Sequence, residues 1–222
     1  MIQKNIFVPT TNAESWKPLL GDPEKHWRDG YSAKSVAESW EKESGVPRKI
    51  SNILEMVPEF SGAELLMAFP EYKVPLPGGS HPSQNDVFAV LSNAHGVLSM
   101  MVEAKAREDF DCTIEEWSAD ASDGKKDRLA FLLEKISYPD IAISRMRYQL
   151  FHRFASAVIM AEKLHANYAL MVVQSFEQDD ELSHYADFES FIIPYGVAAT
   201  KNSVISLGTV KGIHRYALWV SM

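Results

Sequence analysis

Short apolar runs broken by turn-forming residues dominate the middle of the chain, and longer stripes of helical period lie around them. Val87-Phe88-Ala89-Val90-Leu91 and Val97-Leu98-Ser99-Met100-Met101-Val102 flank a polar break from Ser92 to Gly96, which is the pattern of a β-hairpin. Taking Asn93-Ala94-His95-Gly96 as the loop pairs Ser92 with Val97, and counting outward sets Asp86 opposite Glu103. Residues 63–69 read as a first core strand ended by Pro70. Residues 168–176 are almost wholly apolar, as expected of a central strand covered on both faces after a helical crossover. Residues 204–210 and 213–220, joined at Lys211-Gly212, predict a terminal hairpin.

The helical pattern starts at Ser32, a good N-cap, and runs to Glu43 with Val36, Ala37 and Trp40 on one side and Gly45 as the stop. Pro47 opens a shorter helix to Leu54, and further helices are expected over residues 125–136, 143–164 and 182–193. In the longest of these, Met146, Leu150, Phe154, Ala157, Val158 and Ala161 form an apolar stripe, with Arg145, Gln149, His152 and Ser156 opposite. Arg147 falls among the apolar positions, so it either reaches solvent at the stripe's edge or pairs with a carboxylate. Residues 9–31 predict an irregular cover anchored by Trp16, Leu19 and Trp27. Residues 110–117 read as irregular, next to a solvated acidic group of Asp109, Asp111, Glu115 and Glu116.

The hairpin carries the chemistry. Side chains alternate across a strand, so Asp86, Glu103 and Lys105 share one face while Ala104 points away. Like charges directly opposite in a sheet lie about 4.5–5.5 Å apart at Cβ and are unfavourable. A cation between them is therefore expected, and two carboxylates suit Mg²⁺ or Mn²⁺ better than zinc. Lys105 can then hold an anionic substrate group or an activated water. The same residues also allow a plain ion pair between Lys105 and Asp86 or Glu103 with no metal.

Composition narrows the setting. At 222 residues without a Pro/Gly/Ser-rich linker, one domain over residues 1–222 is expected, with a core at about 60–176, an N-terminal cover at about 1–58 and a C-terminal hairpin at about 203–221. No stretch has the apolar length of a leader or a membrane span, and Cys112 is the single cysteine, so a cytoplasmic setting without disulfides is expected. A formal net charge of −8 argues against non-specific nucleic-acid affinity. The charge is uneven, however, because residues 124–165 hold eight Lys or Arg against four acids. Gly78-Gly79-Ser80 can offer backbone amides to a phosphate, although no Walker lysine accompanies it. No His-Glu-x-x-His, Gly-x-Ser-x-Gly or dinucleotide fingerprint occurs.

An acidic residue on one strand followed by Glu-x-Lys on the next is the active-site pattern of the PD-(D/E)XK nuclease superfamily. Over residues 60–176 the chain resembles a bacterial branch of it, through Ser83-Gln84-Asn85-Asp86, Glu103-Ala104-Lys105 and Arg147-Tyr148-Gln149-Leu150-Phe151-His152-Arg153. Asn85 stands where the pattern has proline. The resemblance implies a restriction-endonuclease-like α/β fold, a mixed central sheet flanked by helices. It also implies a metal-dependent nuclease acting on DNA or RNA, with Asp86 and Glu103 as ligands of Mg²⁺ or Mn²⁺ and Lys105 at the attacking water. Glu64 is then expected as an additional acid, and Gln149, Arg147 or His152 as neighbours of the site. A non-catalytic binding or interaction protein that keeps the fold is the other reading, and the acidic balance favours it.

Overall fold

The computed structural model describes residues 10–177 and 184–222, so residues 1–9 and the expected helix start at Leu182 lie outside the described residues. Its centre is a six-stranded mixed sheet, β1 (Glu64–Val74), β2 (Ser83–Asn93), β3 (Gly96–Lys105), β4 (Tyr168–Ser175), β5 (Val204–Val210) and β6 (Ile213–Ser221), in the order β1-β2-β3-β4-β6-β5. The first three strands form an antiparallel meander, β4 lies parallel to both β3 and β6, and β5 closes the far edge antiparallel. The expected hairpin register holds, with Ser92 opposite Val97 and Val87 opposite Val102. Pairing continues one step further to Asn93 and Gly96, which tightens the turn to Ala94-His95.

Both faces of the sheet are covered by helices, as a largely apolar central strand requires. On one face lie α1 (Pro23–His26), α2 (Ser32–Glu43) and α3 (Arg48–Glu55), where Trp16, Trp40, Ile50, Leu54 and Phe60 meet Ala89, Leu91, Met100, Val102 and Leu170. On the other lie α4 (Ile114–Ser118), α5 (Asp123–Lys135), α6 (Tyr148–Leu164) and α7 (His184–Ile192), where Phe151, Phe154, Phe188 and Phe191 meet Phe88, Met101, Met171, Val173 and Trp219. The helix α6 is the crossover that allows β3 and β4 to run parallel.

Three expectations change. Pro70 does not end the first strand, which runs on to Val74; β1 is an edge strand, so one missing N–H costs it no ladder bond on the open side. The segment expected as irregular contains α4, started by a capping box in which Thr113 and Glu116 satisfy each other's backbone N–H groups. The longest helix begins at Tyr148 instead of residue 143, because the Ser144 and Met146 carbonyls accept from Glu115 and Ile114 instead of continuing a helix. It has no polar outer face over residues 153–161, all of which are buried between the sheet and its neighbouring helices.

Candidate active site

Asp86, Glu103 and Lys105 do meet, at the end of the sheet where β2 begins and β3 ends. All three line a cleft of about 550 Å³, together with Glu71, Gln84, Gln149 and Arg153. The carboxyl ends of parallel strands are the usual position for ligand clefts in such sheets, and the first turns of α6 lie over this one. Asp86 accepts a 2.6 Å hydrogen bond from the Ala104 backbone N–H, tying its carboxylate to β3 beyond the last regular pair. Asn85 faces the other way, fully buried, and donates to the Tyr72 and Ser83 carbonyls at 3.1 Å. It thereby anchors the residue before Asp86 to the edge strand, where a proline could donate nothing.

Glu103 is the hub. Its Oε1 accepts from Lys105 Nζ at 2.6 Å and from Gln149 Nε2 at 2.7 Å, and its Oε2 accepts from Arg153 Nε. Burial alone would raise the Glu103 carboxyl, but the Arg153 and Lys105 charges outweigh it and hold the group below the usual carboxylate range. Asp86 goes the other way, pushed well up by burial and then by the Glu103 and Glu71 charges, against the pull of Arg153 and Lys105. Glu71 is pushed up to about 7, mainly by burial, although Gln84 donates to it at 2.6 Å. Seven carboxyls thus line the cleft, and of the three beside Lys105 and Arg153, Glu71 and Asp86 are pushed up while Glu103 is held down.

Of the neighbours expected from the resemblance, Gln149 is present and His152 is one step removed. Its Nδ1 lies 2.8 Å from Ser83 Oγ, which accepts a 3.0 Å bond from Arg153 Nη1. Arg147 is elsewhere: it stands just before the first turn of α6, pairs with Asp187 at 3.0 Å and donates to the Phe110 and Asp111 carbonyls, so its partner is a helix carboxylate outside the cleft. Glu64 is corrected as well, being exposed opposite Ser92, six residues along β2 from Asp86, or about 20 Å of strand.

Glu71 takes the place expected for Glu64. The antiparallel count that pairs Pro70 with Val87 and Tyr72 with Asn85 sets Glu71 opposite Asp86. Its φ of 52° is left-handed, a conformation costing an L-residue about 1–2 kcal/mol, and such strain gathers at functional clefts. Ending the strand at Pro70 concealed it. Arg153 was legible in principle, since it lies one helical turn after Gln149 and shares its face.

The donor set suits a hard divalent ion in kind, because Asp86 and Glu103 offer carboxylate oxygens and Glu71 stands beside them. Among the described residues no group of three or more His, Cys, Asp or Glu forms a ready cage, and both Glu103 oxygens already hold N–H donors. An ion on Glu103 therefore has to take the remaining lone pair of Oε2 or displace one of these donors. No curated protein and no solved structure matches the chain. Residues 9–222 match the family model described as "Domain of unknown function (DUF6946)", which spans nearly the whole sequence, and the chain belongs to that family.

Proposed function

We propose that this protein is a metal-dependent phosphodiesterase of the PD-(D/E)XK type, acting on DNA or RNA at the cleft of Asp86, Glu103 and Lys105. The observation that carries the reading is the convergence of these three side chains on one cleft at the carboxyl end of β3. The strand arrangement supports it, since an antiparallel meander, a crossover helix and a parallel fourth strand make up a mixed sheet flanked by helices, as the resemblance implies.

Asp86 and Glu103 hold the Mg²⁺ or Mn²⁺ ion in this reading. Such an ion, when bound, stabilises negative charge developing on the phosphoryl oxygens. Lys105 carries three N–H donors, one of them given to Glu103, and directs its charge to the attacking water or the phosphate. It also lies 4.9 Å from the Phe110 ring centroid, which limits its movement. Gln149 and Arg153 orient Glu103 from α6; Gln149 is itself fixed by the Asp111 N–H, which donates to its side-chain oxygen at 3.4 Å.

A second reading, a binding protein that keeps the fold without catalysis, is favoured by one specific feature. Both oxygens of Glu103 are engaged by Lys105, Gln149 and Arg153, so its charge is already compensated. Conversion of supercoiled plasmid to nicked circles, with Mn²⁺ or Mg²⁺ and with chelator, distinguishes the two. Divalent-dependent nicking supports the enzyme. Inert protein on plasmid, single-stranded DNA and RNA supports the binding module.

A further inference from the structure

A second cavity, of about 340 Å³, is lined by Ser83 and His152, and so adjoins the first cleft through Arg153, which donates to Ser83. The loop Gly78-Gly79 and the start of α5 border it. The two are in close contact: a Cβ on Gly78, which has a φ of 74°, would come 2.0 Å from the Gly124 carbonyl oxygen. Glycine at this position lets the loop sit directly on the first turn of α5.

Two buried polar atoms of residues lining this cavity, Arg128 Nη2 and the Tyr148 hydroxyl oxygen, make no hydrogen bond of good geometry. Arg128 is 8 % exposed; its Nε donates to the Pro77 carbonyl at 2.7 Å, which fixes the guanidinium, while its buried Nη2 has no hydrogen-bond partner. Tyr148 is 6 % exposed; its hydroxyl lies beside the Arg128 guanidinium but forms no hydrogen bond of good geometry with it or with any other group. Both residues line the cavity. Buried polar groups are almost always paired, so two adjacent groups at one cavity wall with no well-formed hydrogen bond between them point to a bound acceptor that bridges both. Lys125 stands beside them, donating to the Trp117 carbonyl at 2.7 Å and lying 5.4 Å from the centre of the Trp117 ring, which stacks on Tyr148.

The chemistry of the ligand follows from the donors. Arg128 and Lys125 are cations, and the described lining contains no carboxylate, in a chain whose formal charge is −8. A planar guanidinium with a free N–H edge suits an oxyanion, and phosphate above all. The volume equals roughly ten water molecules, so a phosphate can enter with part of the molecule that carries it. We infer that the cavity between the Gly78-Gly79 loop and α5 is a phosphoryl-binding site, with Arg128 Nη2 and the Tyr148 hydroxyl donating to the oxyanion and Lys125 adding charge. This assignment is independent of the nuclease reading.

The test is titration calorimetry of the full chain in the presence of chelator, so that no divalent ion contributes, with inorganic phosphate, a nucleoside 5′-monophosphate and a short single-stranded oligonucleotide as three separate probes. Chloride of equal ionic strength is the control. Wild type is expected to bind at least one probe with saturation. Tyr148→Phe, which removes only the hydroxyl, is expected to weaken binding about three- to tenfold, and Arg128→Met about tenfold or more. Tighter binding of the monophosphate identifies a free phosphomonoester as the ligand, and tighter binding of the oligonucleotide identifies a backbone phosphate. Saturable binding to none of the three overturns the assignment, and so does a Tyr148→Phe protein that binds as wild type. Tyr148→Phe decides the matter should Arg128→Met fold poorly.

Discussion

Glu103 and Arg153, fifty residues apart in sequence, form a buried ion pair at the carboxyl end of β3, with side-chain exposures of 3 % and 8 %. The strand supplies the acid and the crossover helix supplies the base, so the pair fastens α6 to the sheet at the cleft. Lys105 and Gln149 complete the set of donors around the same carboxylate. This changes the meaning of Glu103, which the sequence alone presents as an acid facing a cleft. Breaking a buried pair by removing one partner typically costs about 3–5 kcal/mol, because the other charge is left uncompensated.

Arg153→Met is therefore expected to lower the unfolding free energy by about 3 kcal/mol, moderated by the Lys105 contact that Glu103 retains. Adding Glu103→Gln to it should recover part of the loss, since the stranded charge disappears. Urea unfolding of the wild type, both single variants and the double variant measures the coupling. Strictly additive losses would show that the two side chains do not act as a pair.

Glu71 predicts a pH dependence of opposite sign to the usual carboxylate. Its folded pKa is pushed up to about 7, so between roughly pH 4.3, the unfolded value, and 7 the native state binds the extra proton. Stability is then lost as pH rises through that window, and the penalty is complete above it. Glu71→Gln should raise the melting temperature at pH 8 and have little effect at pH 4. The expected gain at pH 8 is on the order of 1–3 kcal/mol, with the contact from Gln84 redirected rather than lost. Equal effects at both pH values would mean that folding leaves the Glu71 carboxyl unshifted.

Much of this arrangement was legible beforehand because it rests on local patterns. Alternation within β2 and β3 and a tight turn between them were enough to place Asp86, Glu103 and Lys105 on one face, and the apolar run of β4 announced a central strand. What was lost depended on partners distant in sequence. Pro70 reads as a strand terminator until β1 is known to be an edge, and with it Glu71 disappeared from view. Arg147 reads as a candidate for the cleft until Asp187, forty residues on, is seen to take it. Gln149, His152 and Ser156 read as the face opposite the apolar stripe, yet Gln149 turns to Glu103 and His152 to Ser83, and Arg153 beside them pairs with Glu103.

His152 predicts the acid limb of stability. Burial, and then the Arg153, Arg128 and Lys105 charges, hold its pKa well below the ordinary value. Below about pH 6.5 the unfolded chain takes up a proton that the native state refuses, so the contribution of His152 is full above that pH and falls as pH drops. His152→Gln should flatten the pH dependence of the melting temperature between roughly pH 6.5 and 5. An unchanged slope across that range would place the acid sensitivity in another group.

Divalent binding and catalysis can be tested with variants chosen for the burial of the site. Glu103→Ala would strand Arg153 and Lys105, so loss of activity in it could reflect a damaged fold; Glu103→Gln and Lys105→Met keep the volume and are the better probes. In the wild type, Mn²⁺ should raise the melting temperature, since a cation compensates Asp86 and Glu71, whose ionisation the cleft disfavours. Asp86→Asn should abolish that rise, because it removes a carboxylate whose ionisation burial and the Glu103 and Glu71 charges disfavour. Glu103→Gln and Lys105→Met should each lower Mn²⁺-dependent nicking at least about a hundredfold. Circular dichroism and melting curves must show that both variants stay folded under the assay conditions. A Lys105→Met protein that nicks at the wild-type rate would remove Lys105 from the chemistry, and a wild type whose melting temperature ignores Mn²⁺ would leave Asp86 and Glu103 as a structural ion network.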